Sequence, residues 1–172
     1  MNQRIQKIVP GSTPELAEIE ARILKERGRI SPLYQVLLNS PEIAKGWEAL
    51  LTAVRNKSSL PARLRELMIL RVAVLNRAQF EFDAHAPIAI KEGVSQAQLE
   101  ELQKDKVSSG FSELEVLVLE FTDVMTKEVQ VPDALYDLVK SYFNDQEILE
   151  VVTTISAYNM VSRLLNALHV GH

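Results

Sequence analysis

Residues 60–93 read LPARLRELMILRVAVLNRAQFEFDAHAPIAIKEG, a pattern that predicts two helices joined by a short polar turn at Asn76 and Arg77. The first helix carries Glu66, followed by a run from residue 67 to residue 75 that is apolar nearly all round. A helix without a broad polar face is typical of the centre of a protein. We therefore expect this segment to form the core of the fold.

The second helix carries Glu81 and His85, which lie one turn apart on one face. Carboxylates and an imidazole in apolar surroundings are suited to proton transfer, so Glu66, Glu81 and His85 are the candidate catalytic residues. Structural roles remain open for each of them. Glu66 could pair with Arg63 or with an arginine of the next helix, His85 could bond a backbone carbonyl, and Glu81 could be a solvated surface charge.

A metal site is the less favoured interpretation of the same residues. Glu81 and His85 have the i,i+4 spacing of metal ligands, Glu66 could supply a third ligand, and His169 and His172 could add more. Two ligands on one helix are too few to make a site by themselves. We therefore predict no metal site.

Helical periodicity extends over the rest of the chain, and no segment shows the sustained alternation of a hairpin. After an irregular lead over residues 1–12, cap, proline and glycine signals predict further helices. Their expected ranges are about 13–27, 32–38, 41–55, 95–103, 112–129, 132–144 and 145–170, the last capped by Asp145. The sequence thus predicts an all-α bundle of about eight helices in a single domain over residues 1–172.

Composition narrows the functional class. The chain has 172 residues, of which 47% are hydrophobic and 24% charged, and its net charge is −4. A nucleic-acid partner is not expected, because binding to phosphates needs a basic face. The N-terminus lacks the apolar core of a signal peptide and no window is long enough for a membrane span, so we predict a cytoplasmic protein. The chain has no cysteine, which excludes thiol redox chemistry.

The segments LPARLRELMILRVA and AHAPIAIKEGVS, with Glu66 and His85 on consecutive helices, resemble the carboxymuconolactone decarboxylase and alkylhydroperoxidase D superfamily. The likeness is best over residues 60–100, and a looser one extends to AYNMVSRLLNAL near the C-terminus. In the peroxidase branch the resemblance implies a relay of Glu, a C-x-x-C pair and His. The cysteine positions fall on Ala78 and Glu81, so peroxide reduction by that relay is not available here, although a peroxidase-like label by similarity is expected.

The resemblance points instead to the decarboxylase branch, which works without those cysteines. It implies a cofactor-free enzyme that moves protons on a small organic acid or lactone, with Glu66 or His85 as the acid and Glu81 as a second carboxylate. It also implies assembly as a homo-oligomer, a trimer or a hexamer. The alternative is a non-catalytic family member that kept the fold as a binding or scaffold protein after losing the cysteine pair.

Five more residues are candidates for binding a small-molecule substrate: Arg71, Phe82, Tyr158, Asn159 and Arg163. Either arginine could anchor a carboxylate through a bidentate fork. For Arg71, an internal salt bridge to Glu66, Glu81 or Asp83 is the more common use of an arginine in an apolar helix. Phe82 could form the wall of a pocket or pack in the core, and Tyr158 and Asn159 could line a pocket or form hydrogen bonds to a neighbouring helix.

Overall fold

Helices make up all the regular secondary structure of the residues that the computed structural model describes, 3–107 and 109–171. Nine α-helices lie within these ranges, in agreement with the all-α prediction, and a short 3-10 helix (Pro14–Leu16) precedes the first. The helices are α1 (Ala17–Arg27), α2 (Pro32–Leu37), α3 (Pro41–Asn56), α4 (Ala62–Leu75), α5 (Gln79–Lys91), α6 (Gln96–Leu102), α7 (Glu113–Lys127), α8 (Asp133–Lys140) and α9 (Asp145–Leu168). No described helix has both the length and the apolar character needed to cross a membrane.

The fold divides into two compact units, with boundaries after Lys57 and after Arg163. One unit holds α1, α2 and α3 together with the end of α9, and the other runs from Ser58 to Arg163. The single domain expected over residues 1–172 therefore remains a prediction.

A buried carboxylate organises the first unit. Glu48 on α3 is completely buried, and its Oε2 atom lies 2.6 Å from Nε of Arg22 on α1. Its other oxygen accepts a hydrogen bond from Thr52, which also accepts one from Arg27. A carboxylate without access to water needs such partners, so this network fixes α1 against α3.

Helix α4 lies at the centre of the second unit, as its sequence predicts. Leu67, Met68, Ile69 and Leu70 are all completely buried, which requires neighbours around the whole circumference. Helices α5, α6 and α7 pack against α4. The centre of the second unit is therefore the helix that carries Glu66.

A tight turn between α4 and α5 sets the angle between the two helices. Arg77 has a φ of 55°, in the left-handed region that non-glycine residues enter rarely and at a cost. The preceding residue, Asn76, donates hydrogen bonds through Nδ2 to Asn159 and Ser162 of α9, at 2.9 and 2.8 Å. These bonds tie the turn to α9 and hold Arg77 in that conformation.

Several predicted helix ends need correction. Helix α9 is capped by Asn144 rather than Asp145: the Oδ1 atom of Asn144 accepts from the backbone of Glu147, whose side chain accepts from the backbone of Asn144. Helix α8 ends at Lys140, before the predicted 144. Helix α7 ends at Lys127, and the chain turns at Val129, where φ is 66°.

Candidate active site

Glu66 and His85 meet across the α4–α5 hairpin. The Oε2 atom of Glu66 lies 2.7 Å from Nδ1 of His85, and the two residues are 2% and 6% exposed. They come together because each occupies the inward face of its helix. The Arg63 pairing considered for Glu66 is not formed, since the Arg63 guanidinium bonds Glu115 and the carbonyl of Gly93 instead.

The Glu66–His85 bond prepares the imidazole for proton transfer. In the tautomer in which Nδ1 carries the proton, Glu66 accepts the hydrogen bond and Nε2 is the basic nitrogen. The same carboxylate stabilises the imidazolium formed when Nε2 takes up a proton. The pair can therefore act as a base and then as an acid, with the proton moving through Nε2.

Tyr158 forms the aromatic side of this pair. Its ring meets the His85 ring at an interplanar angle of 89°, with the ring centroids 5.2 Å apart. Tyr158 lies on α9 and is only 2% exposed. Three helices, α4, α5 and α9, thus converge on His85.

Glu81 lies one turn before His85 on α5 and is 3% exposed. The interpretation of Glu81 as a solvated surface charge is therefore wrong. Glu66, Glu81 and His85 are all buried, and their assignment as catalytic residues stays a prediction.

Arg71 has a different partner from those predicted. It is completely buried and pairs with Asp123 of α7, with Nε–Oδ1 and Nη2–Oδ2 distances of 2.5 and 2.6 Å. Its remaining donors bond the carbonyls of Leu102, Lys104 and Asp105. All the guanidinium donors are thus used inside the protein, and Arg71 has none left for a substrate carboxylate.

Arg63 is likewise committed to a structural pair. Its Nε atom lies 2.6 Å from Oε1 of Glu115. Burial acts to raise the pKa of Glu115, but the hydrogen bonds from Arg63 and Ser112 outweigh burial and hold that pKa below its usual range. Arg63 therefore neutralises a helix-capping carboxylate and is not available to Glu66.

The other candidate binding residues occupy different environments. Asn159 accepts a hydrogen bond from Asn76 of the α4–α5 turn and donates one to Thr126 of α7 at 3.0 Å. Arg163 donates to the carbonyl and to the side chain of Asn159, on the exposed side of α9. The bond between Asn159 and a neighbouring helix, considered as an alternative, is present.

Phe82 has a mixed environment. It is half-buried, packs against the apolar cluster that includes Leu67 and Leu70, and lines a cavity of about 260 Å³ next to Ala78. It can therefore serve both as core and as a cavity wall. Among the described residues no group of three or more His, Asp or Glu side chains is placed to hold a metal ion.

Sequence reasoning missed two relationships, Arg71 with Asp123 and His85 with Tyr158. A buried arginine indicates that an acidic residue lies nearby. The sequence does not indicate which acidic residue this is, and Asp123 is 52 residues away from Arg71 along the chain. The ring contact joins α5 to α9, and no short-range pattern encodes such a contact.

Comparison with known proteins finds a family match over part of the chain. The carboxymuconolactone decarboxylase family matches residues 41–123, a range that contains Glu66, Glu81 and His85. The chain therefore matches this family over slightly less than half of its length, and it shares its fold with the alkylhydroperoxidase AhpD core of a Ralstonia eutropha JMP134 protein at 13% identity and a TM-score of 0.83 over 98% of this chain and 90% of that protein. Tyr158 lies beyond the matched range, so the aromatic side of the site comes from outside the family's core.

Two similar proteins at 26–27% identity are described as uncharacterised or of unknown function. Protein YdfG of Bacillus subtilis (strain 168), described as uncharacterised, is 27% identical over 110 residues, which cover 63% of this chain and 75% of the relative. A solved protein of unknown function from Agrobacterium tumefaciens is 26% identical, with a TM-score of 0.72 over 79% of this chain and 94% of its own.

Two more distant structures show the fold alone. A peroxidase-related protein from Silicibacter sp. TM1040 has a TM-score of 0.82 at 16% identity, covering 98% of this chain and 90% of its own. The debrominase Bmp8, solved with 2,3,4-tribromopyrrole, has a TM-score of 0.81 at 15% identity, covering 99% and 91%. The same fold thus occurs in a peroxidase-related protein and in a debrominase.

Proposed function

We propose that this protein is a cofactor-free enzyme that catalyses proton transfer on a small organic acid or lactone, as a decarboxylase-like member of its family. The observation that carries the proposal is the buried bond between Glu66 and Nδ1 of His85. A histidine held in this way is a competent general base and acid at neutral pH. A relic of a lost redox site would need no such pair, and a purely structural Glu66 would be expected to pair with an arginine.

Glu81 supplies the second carboxylate of the proposed site. It stands at a position where the peroxidase branch has a cysteine, and its burial beside His85 suits a group that takes part in the proton relay. In a decarboxylation, loss of carbon dioxide leaves an enolate-like carbanion, which an acid must protonate. His85 in its imidazolium form is that acid, and Glu66 holds it in place.

Substrate binding is assigned to fewer residues than the sequence suggested. Because the guanidinium of Arg71 is paired with Asp123, Arg163 is the arginine of the candidate set that is left to bind a substrate carboxylate. Phe82 is proposed as an apolar wall and Asn159 as a hydrogen-bonding group at the edge of the site. The protein is also proposed to be cytoplasmic and to assemble as a homo-oligomer, for which a solution mass well above 19.4 kDa is expected.

Hydrogen–deuterium exchange provides a test that needs no prior choice of reaction. A panel of small lactones and carboxylic acids in D₂O is followed by proton NMR for C–H exchange, ring opening and carbon dioxide loss. We expect turnover of at least one compound and a decrease of roughly 10²–10⁴-fold in both Glu66→Gln and His85→Asn. The matched control is Glu120→Gln, which removes an exposed carboxylate of α7 and should leave the rate unchanged.

Two results would reject the proposal. Equal rates in the wild type, Glu66→Gln and His85→Asn would show that the pair is structural. Binding of compounds without exchange or turnover by the wild type would instead favour the non-catalytic, binding member of the family.

A further inference from the structure

A cavity of about 260 Å³, here named the turn cavity, lies at the turned end of the α4–α5 hairpin, and its described lining residues all belong to the second unit. Ala73 and Val74 at the end of α4, with Ala78 and Phe82 at the start of α5, form its apolar wall. Phe82 lies three residues before His85, roughly 4–5 Å away along the helix axis and on a neighbouring part of the helix surface. The turn cavity therefore adjoins the segment of α5 that carries the proposed acid–base pair.

The lining of the turn cavity carries a positive charge. It includes Arg77, and none of the described residues that line it is acidic. Two other cavities of the second unit have net acidic linings, one with Glu113 and Glu120 and the other with Glu100 and Glu101. Of these three cavities, the turn cavity is the one suited to an anion.

Arg77 differs from the other arginines of the second unit. Its guanidinium forms no hydrogen bond or ion pair with any residue in the ranges 3–107 and 109–171. The other four arginines have partners: Arg63 pairs with Glu115, Arg65 with the carbonyl of Leu60, Arg71 with Asp123 and Arg163 with Asn159. Because a guanidinium presents its N–H donors as a planar fork that matches a carboxylate, Arg77 has the donors for a ligand that Arg71 lacks.

The backbone at Arg77 would suit a different residue. Its φ of 55° lies in the left-handed region, which glycine and asparagine enter more readily than arginine does. A residue held in such a conformation is typical of a functional position. Together with the unpaired guanidinium, this backbone strain indicates that the arginine side chain itself is used.

We propose that the turn cavity binds a planar organic carboxylate, with the carboxylate on the guanidinium of Arg77 and the flat body of the ligand against the ring of Phe82. Offset stacking is a preferred arrangement for two flat rings. The volume lies near the lower end of the roughly 300–1,000 Å³ of small-molecule sites, so the cavity suits a ligand of about one ring.

Two glutamine amides add polar groups to the turn cavity. Gln79 and Gln103 line it, and their amide nitrogens each donate one hydrogen bond, to Asp83 and to the carbonyl of Leu99. An amide nitrogen carries two hydrogens, so each glutamine has a second donor for a hydroxyl or oxo substituent of the ligand.

The inference deepens the proposed function and rests on that function for its catalytic consequences, but not for binding. It assigns the substrate carboxylate to Arg77, a residue that the sequence marks only as part of a turn, in place of Arg163. It also narrows the small organic acid to one with a flat, unsaturated or aromatic body.

Benzoate and its neutral isostere benzamide are the probes of the turn cavity. In ¹⁵N-labelled wild type, benzoate should shift the backbone amide signals of Ala78 and Phe82 and the side-chain amide signals of Gln103. For so small a ligand the expected Kd is about millimolar. Benzamide should bind about tenfold more weakly or less, because it lacks the charge that Arg77 recognises.

Three variants test the role of the guanidinium. Arg77→Asn removes it and suits the left-handed backbone, so this variant should be at least as stable as wild type while the Kd for benzoate rises by about tenfold or more. Arg77→Lys keeps the charge without the fork and should give an intermediate Kd. Lys91→Gln is the matched control, because it removes a positive charge from the last turn of the same helix and should leave the Kd unchanged.

Three results would overturn the proposal. Equal affinity for benzoate and benzamide would show that the cavity does not recognise the charge, and an unchanged Kd in Arg77→Asn would show that Arg77 does not supply it. A Kd that rises in Arg163→Gln but not in Arg77→Asn would return the carboxylate to Arg163. Should Arg77→Asn not fold, the wild-type spectra decide the matter, and benzoate shifts confined to residues away from the turn cavity reject the inference.

Failure of the proposed function gives a different result. Benzoate bound at the turn cavity of an inactive wild type would reject proton transfer and leave the binding site standing. An active wild type whose KM for an organic acid is unchanged in Arg77→Asn would reject the binding site alone.

Discussion

Arg71 and Asp123 form a two-pronged ion pair inside the second unit, with one carboxylate oxygen on Nε and the other on Nη2. The same guanidinium bonds the carbonyls of Leu102, Lys104 and Asp105, at the end of α6 and in the segment that follows it. One side chain of the central helix thus fixes a neighbouring helix and a loop. Planar, always charged arginine is suited to this task because its donors form a rigid fork.

Removing the carboxylate should therefore be costly. We expect Asp123→Asn to lower the free energy of unfolding by about 3–5 kcal/mol, because it leaves a buried guanidinium without its counter-charge. Lys127→Met is the control, since Lys127 also contacts Asp123 but is 47% exposed, and such pairs contribute at most about 1 kcal/mol. Urea denaturation of both variants measures the difference, and equal, small effects would contradict the assignment.

Two serines with similar sequence signals should differ in their contributions to stability. Ser95 accepts a hydrogen bond from the backbone of Gln98 in a complete capping box, whereas Ser40 makes no side-chain cap bond although Pro41 and Glu42 follow it. Ser95→Ala should cost about 1 kcal/mol and Ser40→Ala a few tenths. Thermal unfolding of the two variants tests this ranking, and a larger loss of stability in Ser40→Ala than in Ser95→Ala would contradict it.

The helices could be predicted because their signals are local. The apolar run after Glu66 specified a central helix, and proline at the first helical position marked the start of α3. The N-cap of α9 is Asn144, one residue before the predicted Asp145. The sequence nevertheless contains the signal for the correct cap. A capping box needs an acid three residues after the cap, and Glu147 stands in that relation to Asn144, not to Asp145.

The contacts of the site were less accessible to sequence reasoning. The meeting of Glu66 and His85 follows from a short hairpin whose two inward faces can be read from the sequence. The pairing of Arg71 with Asp123 and the packing of Tyr158 on His85 depend on where α7 and α9 lie against α4 and α5. Tertiary packing decides such contacts, and neither periodicity nor caps carry information about them.

Glu150 should make stability depend on pH in the acidic range. Burial acts to raise its pKa, but hydrogen bonds from Gln146, Ser59 and Ser58 lower it to about 2. Because the folded pKa lies below the usual 4.5, the carboxylate stabilises the fold above pH 4.5, and this contribution is lost as the pH falls towards 2. The difference in unfolding free energy between wild type and Glu150→Gln should therefore shrink over that interval.

A series of urea titrations from pH 7 to about pH 2 checks the Glu150 prediction. The double variant Ser58→Ala, Ser59→Ala keeps the carboxylate and removes its hydroxyl donors, so it should return the pKa towards 4.5 and flatten the acid dependence. A stability difference that stays constant from neutral to acidic pH would show that these hydrogen bonds do not stabilise the ionised carboxylate.

The positions of Ala78 and Glu81, where the resemblance to the peroxidase branch implies cysteines, should accept a redox pair. Ala78 is the N-cap of α5 and Glu81 lies three residues further on, in the first turn. Residues with this spacing on a helix have Cβ atoms about 5–6 Å apart, close enough for a modest adjustment to form a disulfide. The positive end of the helix dipole also favours a thiolate at this point.

We expect the double variant Ala78→Cys, Glu81→Cys to reduce hydrogen peroxide once per molecule, with two thiols forming one disulfide and the peroxide forming two waters. Thiol titration should fall from two groups to none, while Asp83→Cys, Ala86→Cys, with the same spacing in the middle of α5, should react more slowly because it lies away from the helix N-terminus. Adding Glu66→Gln to the first pair should slow the reaction if the buried Glu66–His85 pair accepts the thiol proton. An equal rate with and without Glu66 would show that the Glu66–His85 pair does not accept the thiol proton in this double variant.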